Sequence, residues 1–113
     1  MKTINTLITL IFITLLFSCS KDESKTVECD GSNLTYDSGI ATIINTSCNS
    51  SGCHGANSSN GVFTSFAGLA GAIKNGSFNN RVINKQDMPK GSSLSQTQLN
   101  QIKCWIDNGY PEK

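Results

Sequence analysis

The sequence predicts an all-α protein, a small domain of about three helices preceded by a short N-terminal leader and tether. Two observations predict it. Separate stretches carry apolar residues at helical spacing, while no stretch alternates apolar and polar residues for long enough to build a sheet. The last stretch also carries its own start and stop signals.

The first helix is expected to begin at Asp37 or Ser38, with Ile40, Ile43 and Ile44 on one face at i, i+3, i+4. Cys48-Asn49-Ser50-Ser51-Gly52-Cys53-His54-Gly55 interrupts it, and the Gly, Ala, Asn and Ser residues of 55–62 read as a loop. Phe66, Leu69, Ala70 and Ile73 form an i, i+3, i+4, i+7 stripe, an amphipathic helix ending near Gly76. Residues 76–94 read as irregular, and Pro89 biases Met88 away from helical geometry. Ser95 and Gln98 make a capping box for the last helix. Leu99, Ile102 and Ile106 line its face with Trp105 beside them, and Gly109 stops it. Where the first and last helices cross, the three isoleucines are expected to meet Ile102, Trp105 and Ile106.

The N-terminus reads as an export signal. Lys2 supplies a positive start, and Leu7–Phe17 is apolar apart from Thr9 and Thr14. The run is short of the ~20 apolar residues of a spanning helix. Leu16-Phe17-Ser18-Cys19 resembles a lipobox, which implies cleavage after residue 18 and lipid attachment at Cys19, although Phe17 is bulkier than usual. An ordinary signal peptide cleaved elsewhere is the other reading. Ser20-Lys21-Asp22-Glu23-Ser24 is similar to the surface-export tag of some Gram-negative outer-membrane lipoproteins; a solvated tether is the plain alternative. The expected organisation is a signal peptide over 1–18, a lipidated N-terminus and tether over 19–36, and a domain over 37–113. The protein is expected to be exported and anchored to the outer membrane through its lipid, on the periplasmic or cell-surface face.

Nine Lys and Arg stand against eight Asp and Glu, and Lys2 falls in the leader, so the mature chain is formally neutral. No basic patch interleaved with aromatics points to nucleic acid. The remaining chain, about 95 residues, suits one domain with a modest core, which gains from a covalent staple or a large buried group. Outside the leader and Cys19 lie Cys29, Cys48, Cys53 and Cys104, and in an oxidising compartment each is expected to be bonded.

Cys48-x4-Cys53-His54 carries the chemistry. Two cysteines followed at once by histidine are what covalent haem attachment needs: the thiols form thioethers with the porphyrin vinyl groups, and the imidazole meets the iron. The common spacing is C-x-x-C-H. Here the longer loop has to bulge outward, which small Asn49, Ser50, Ser51 and Gly52 permit. A local Cys48–Cys53 disulfide is the simpler alternative. A zinc site would need Cys29 or Cys104 as well, and adjacent Cys53 and His54 converge poorly on one ion.

The order helix, C-x4-C-H-G, middle helix, Met-Pro-x-Gly loop and terminal helix ending in Trp-Ile-Asp-x-Gly resembles a small single-haem c-type cytochrome, over about residues 37–111. The resemblance is closest to cytochrome c-like lipoproteins of Gram-negative bacteria. It implies one covalent haem c, bound by Cys48 and Cys53, with His54 as proximal and Met88 as distal iron ligand. The chain has no other histidine, and its other methionine is Met1. Phe63, Phe66, Leu69 and Ile73 would form the apolar haem walls. Filled axial positions imply one-electron transfer between redox partner proteins rather than catalysis, and no acid–base or nucleophile constellation suggests an enzyme. Cys29 and Cys104 bracket the domain and are expected to form a disulfide, with an intermolecular bridge as the alternative. The competing reading is a haem-free, disulfide-stapled lipoprotein acting as a binding or structural module.

Overall fold

Thr35 opens the helical part of the chain: its hydroxyl accepts from the Ser38 N–H (3.1 Å), and Ser38 Oγ accepts from the Thr35 N–H (2.7 Å). This reciprocal cap starts a wide turn, α1 (Tyr36–Ile40), that runs straight into the regular helix α2 (Ala41–Ser47). The regular helix therefore begins later than the apolar spacing suggested. Gly39 departs from helical geometry, and a side chain there would press on Leu34 at 3.2 Å. The computed structural model describes residues 23–113. The expected signal peptide over 1–18, the expected lipid attachment at Cys19 and the first residues of the expected export tag lie outside the described residues.

The chain continues through α3 (Phe66–Lys74), a second wide turn α4 (Asn79–Asn84), and α5 (Gln96–Asp107). Among the described residues there is no strand, and no helix is long and apolar enough to cross a membrane. Ser65 caps α3 through the Gly68 N–H (3.3 Å), and Gly76, at positive φ, closes its end by donating to the Ile73 carbonyl (2.9 Å). The capping box of α5 forms as expected: Gln98 N–H donates to Ser95 Oγ (3.2 Å) and Ser95 N–H to Gln98 Oε1 (2.9 Å).

The core is one apolar cluster. Ile40, Ile43 and Ile44 join Ile102 and Trp105 in it, with Ile106 packed at its edge. Trp105 is fully buried between Tyr36 and Tyr110, and its Nε1–H donates to the Pro111 carbonyl (3.0 Å). The same carbonyl accepts from Tyr36 N–H (2.9 Å), so the segment after α5 folds back along the start of α1.

α4 replaces part of the irregular stretch expected over 76–94. Its wide turn is closed by Lys85 N–H donating to the Asn80 carbonyl (2.9 Å), and Phe78, Val82 and Ile83 are buried. The segment before Tyr36 also differs from a plain tether. From Lys25 onward it lies as a strap across α5. Gln96 Nε2 donates to the Thr26 carbonyl (2.8 Å), Asn100 Oδ1 accepts from Glu28 N–H (3.3 Å), and Cys29 forms a disulfide with Cys104. Only Val27 and Leu34 of this segment pack against the core; the rest is held by backbone hydrogen bonds, the Lys25 side chain and the disulfide, which leaves no hydrophobic period to read.

Candidate haem-binding cavity

The turn from Cys48 to His54 is closed at its base by His54 N–H donating to the Cys48 carbonyl (3.0 Å). Within it Cys53 N–H donates to the Ser50 carbonyl (3.0 Å), and Gly52 sits at φ 79°, where a side chain would be strained. The four intervening residues thus bulge outward while Cys48, Cys53 and His54 stay together. Asn49, the first residue of the bulge, anchors it: its Nδ2 donates to Asn45 Oδ1 (2.7 Å) and the Phe63 carbonyl (3.1 Å). Ser58 Oγ donates to the Cys53 carbonyl.

His54 is oriented on two sides. Its ring stacks on Phe63, and its Nδ1 lies 3.1 Å from the Gly61 carbonyl. An N–H at Nδ1 satisfies that carbonyl and leaves Nε2 with a free lone pair, the arrangement that a metal-ligating histidine uses. Phe63 N–H also donates to the His54 carbonyl (2.9 Å), which ties the stacked pair together through the backbone.

A cavity of about 590 Å³ opens beside these residues, within the range of small-molecule and cofactor sites. Cys48, Cys53, His54 and Met88 all lie on its wall, although Met88 comes from the loop after α4. Phe63, Phe78 and Val82 contribute apolar surface, and Arg81 and Lys90 are its charged groups. Arg81 Nε is held 2.6 Å from Asp87 Oδ1, and this contact lowers the Asp87 pKa below its ordinary value.

Of the four expected walls, Phe63 alone lines the cavity. Leu69 and Ile73 lie in the core, and Phe66 meets Tyr36 edge-on at 5.6 Å. α3 turns its opposite face to the space: Gly68, Gly71, Ala72 and Asn75. The apolar stripe of α3 is consumed by packing against the core, so the small-residue side is left to the cavity. A Cβ at Gly71 would meet nothing within 4 Å, whereas one at Gly68 would fall 2.0 Å from the Val62 carbonyl. Phe78, Val82 and Arg81 were missed by the sequence reading; the Phe78–Val82 pair at i, i+4 was the available signal.

Cys48 and Cys53 are not disulfide-bonded in the structure. Burial, with a smaller contribution from Cys53, raises the Cys48 thiol to about 11. Cys53 Sγ accepts a 3.3 Å contact from Ser50 Oγ. Among the described residues, no group of three or more His, Cys, Asp or Glu side chains is arranged to hold a metal ion, so the zinc alternative has no ligand set there. Comparison with protein-family models, with curated proteins and with solved structures finds no match to this chain.

Proposed function

We propose that this protein is a membrane-anchored single-haem c-type cytochrome that carries one electron at a time between redox partner proteins outside the cytoplasm. The observation that carries the reading is the convergence of two unpaired thiols, one imidazole and one thioether on a single cavity. A disulfide-stapled module requires neither the Cys53–His54 adjacency nor a methionine facing them.

The residues present fit the group. Cys48 and Cys53 would hold it covalently, and His54 Nε2 and the Met88 sulfur would be its iron ligands. The open space beside Gly71 gives a flat ring room against α3. When bound, the haem supplies a reversible one-electron couple, and a neutral, polarizable thioether ligand favours the reduced iron. The chain's own residues do the rest. Phe63 and the Gly61 carbonyl hold the imidazole, Phe78 and Val82 exclude water, and Arg81 and Lys90 place positive charge on the cavity wall. The formally neutral mature surface suits a weak, transient encounter with partners rather than strong electrostatic docking.

The test is the full chain expressed with a periplasmic haem-attachment system. The expected product is red, with sharp reduced α and β bands and one haem's added mass surviving denaturation. Substituting Met88→Ala should keep the covalent haem, abolish the weak red-end band of methionine-ligated ferric iron, and let the ferrous form bind carbon monoxide. A colourless protein with Cys48 and Cys53 oxidised to each other would overturn the reading in favour of a haem-free module.

A further inference from the structure

Lys85, Gln86 and Asp87 lie between α4 and Met88, and each is pinned. Lys85 N–H donates to the Asn80 carbonyl (2.9 Å). Asp87 N–H donates to the Arg81 carbonyl (3.1 Å), and its carboxylate accepts from Arg81 Nε. Those pins come from α4 itself. The pin on Gln86 comes from the other end of the chain.

Gln86 has a backbone φ of 51°, in the left-handed region unfavourable to most side chains. Its side-chain amide faces the strap. Oε1 accepts from the Lys25 N–H (2.9 Å), and Nε2 donates to the Lys25 carbonyl (2.5 Å). One amide therefore satisfies both backbone groups of a single distant residue, as a neighbouring strand would. Lys25 then reaches across with its ammonium to the Leu94 carbonyl (2.5 Å), on the far side of the Met88 loop and one residue before the cap of α5. Leu94 is buried. Lys25 thus ties both stems of the loop 86–94, and Met88 and Pro89 stand on the cavity wall between them. The strap that delivers Lys25 is secured by the Cys29–Cys104 disulfide.

We propose that Lys25 and Gln86 form a clasp that positions Met88, so that docking of the N-terminal strap decides whether the thioether stays at the cavity. Its consequence for iron ligation rests on the haem reading above; its consequence for the placement of Met88 does not. Both residues are positioning residues, since neither lies on the cavity wall. The clasp demands a side chain with one donor and one acceptor at the reach of glutamine. Asparagine is too short, and glutamate keeps the acceptor but turns a second oxygen toward the Lys25 carbonyl.

The test uses the full chain carrying Gln86→Ala, Gln86→Glu or Lys25→Ala, with Lys103→Ala, whose ammonium pairs with Asp107 within α5 and makes no bond to the clasp, as a control. Met88 sulfoxide formation under dilute hydrogen peroxide is followed by peptide mass in haem-bearing and haem-free protein. The red-end methionine band and reduction potential are recorded where haem is attached. The three clasp variants are expected to oxidise Met88 several-fold faster than wild type. The haem-bearing forms should retain covalent haem, weaken the methionine band and fall in potential, while Lys103→Ala behaves as wild type. Wild-type oxidation rates in the clasp variants would overturn the proposal. A colourless wild-type chain would overturn the cytochrome reading alone, because the sulfoxide comparison still decides the clasp. Lys25→Ala leaves the strap backbone and the core intact, so it serves if Gln86→Ala does not fold.

Discussion

The imidazole of His54 lies flat on the ring of Phe63, with centroids 4.1 Å apart and planes 6° from parallel. Phe63 in turn meets Phe78 edge-on at 6.1 Å, so the candidate ligand is propped on a residue that is itself wedged into the core. Orientation of His54 is therefore linked to core packing.

Phe63→Ala removes this prop and opens a void. It is expected to destabilise the chain by about 3 kcal/mol, while Phe63→Leu costs less but still frees the imidazole. Urea unfolding measures the first effect. In haem-bearing protein, the yield of covalent haem and the shift of reduction potential measure the second. Wild-type values for both in Phe63→Leu would show that stacking does not orient His54.

The two glycines of α3 should respond in opposite directions. Gly68→Ala drives a methyl into the Val62 carbonyl and should cost about 1–3 kcal/mol by forcing the backbone apart. Gly71→Ala meets open space and should stabilise the haem-free chain by up to ~1 kcal/mol through helix propensity. Thermal melts of the two variants side by side decide the matter.

Stability of the haem-free chain should fall in alkali. The folded Cys48 thiol titrates near 11, against 9.0 for an ordinary one. Because the folded pKa is raised, its contribution is complete below about pH 9 and is lost as pH climbs toward 11, amounting to about 2–3 kcal/mol. Chemical denaturation across that window should show the loss, and Cys48→Ala should flatten it. A thioether does not titrate, so covalent attachment should flatten it as well.

Removing the Cys29–Cys104 bond is the largest single change expected. The two residues are 75 positions apart, and releasing so long a loop costs ~4 kcal/mol by the chain-entropy account. Cys29→Ser with Cys104→Ser should lower the urea midpoint accordingly. It should also raise amide exchange along Lys25–Cys29, because the strap backbone there is held only by a few side chains of Gln86, Gln96 and Asn100.

Local signals were the legible ones. The Ser95–Gln98 box and Gly109 marked both ends of α5, and Gly76 marked the end of α3, because caps involve residues a few positions apart. The first helix was placed by its isoleucines, but its cap is Thr35 with Ser38, and the wide turn through Gly39 delays the regular helix to Ala41. α4 was hidden by its composition: three asparagines of low helix propensity surround Arg81, Val82 and Ile83. At the site, Cys48, Cys53, His54 and Met88 were readable from residue type and order. The side of α3 that faces the cavity was not. Periodicity identifies an apolar face but not which neighbour claims it, and here the core claims Leu69 and Ile73. The clasp was invisible for a related reason. Gln86 and Lys25 meet through amide and backbone groups that leave no spacing in the chain.

The four cysteines of the described chain permit three complete pairings, and the fold sorts them by chemistry as well as by distance. Cys29 and Cys104 are brought together with Cα atoms 4.4 Å apart, while Cys48 is withdrawn into the core and kept protonated. Exchange of disulfides proceeds through the thiolate. A folded chain therefore holds Cys48 out of the traffic in sulfur bonds at neutral pH, even under oxidants that close the other pair. Folding before oxidation thereby favours the Cys29–Cys104 bond over any pairing that would draw on Cys48.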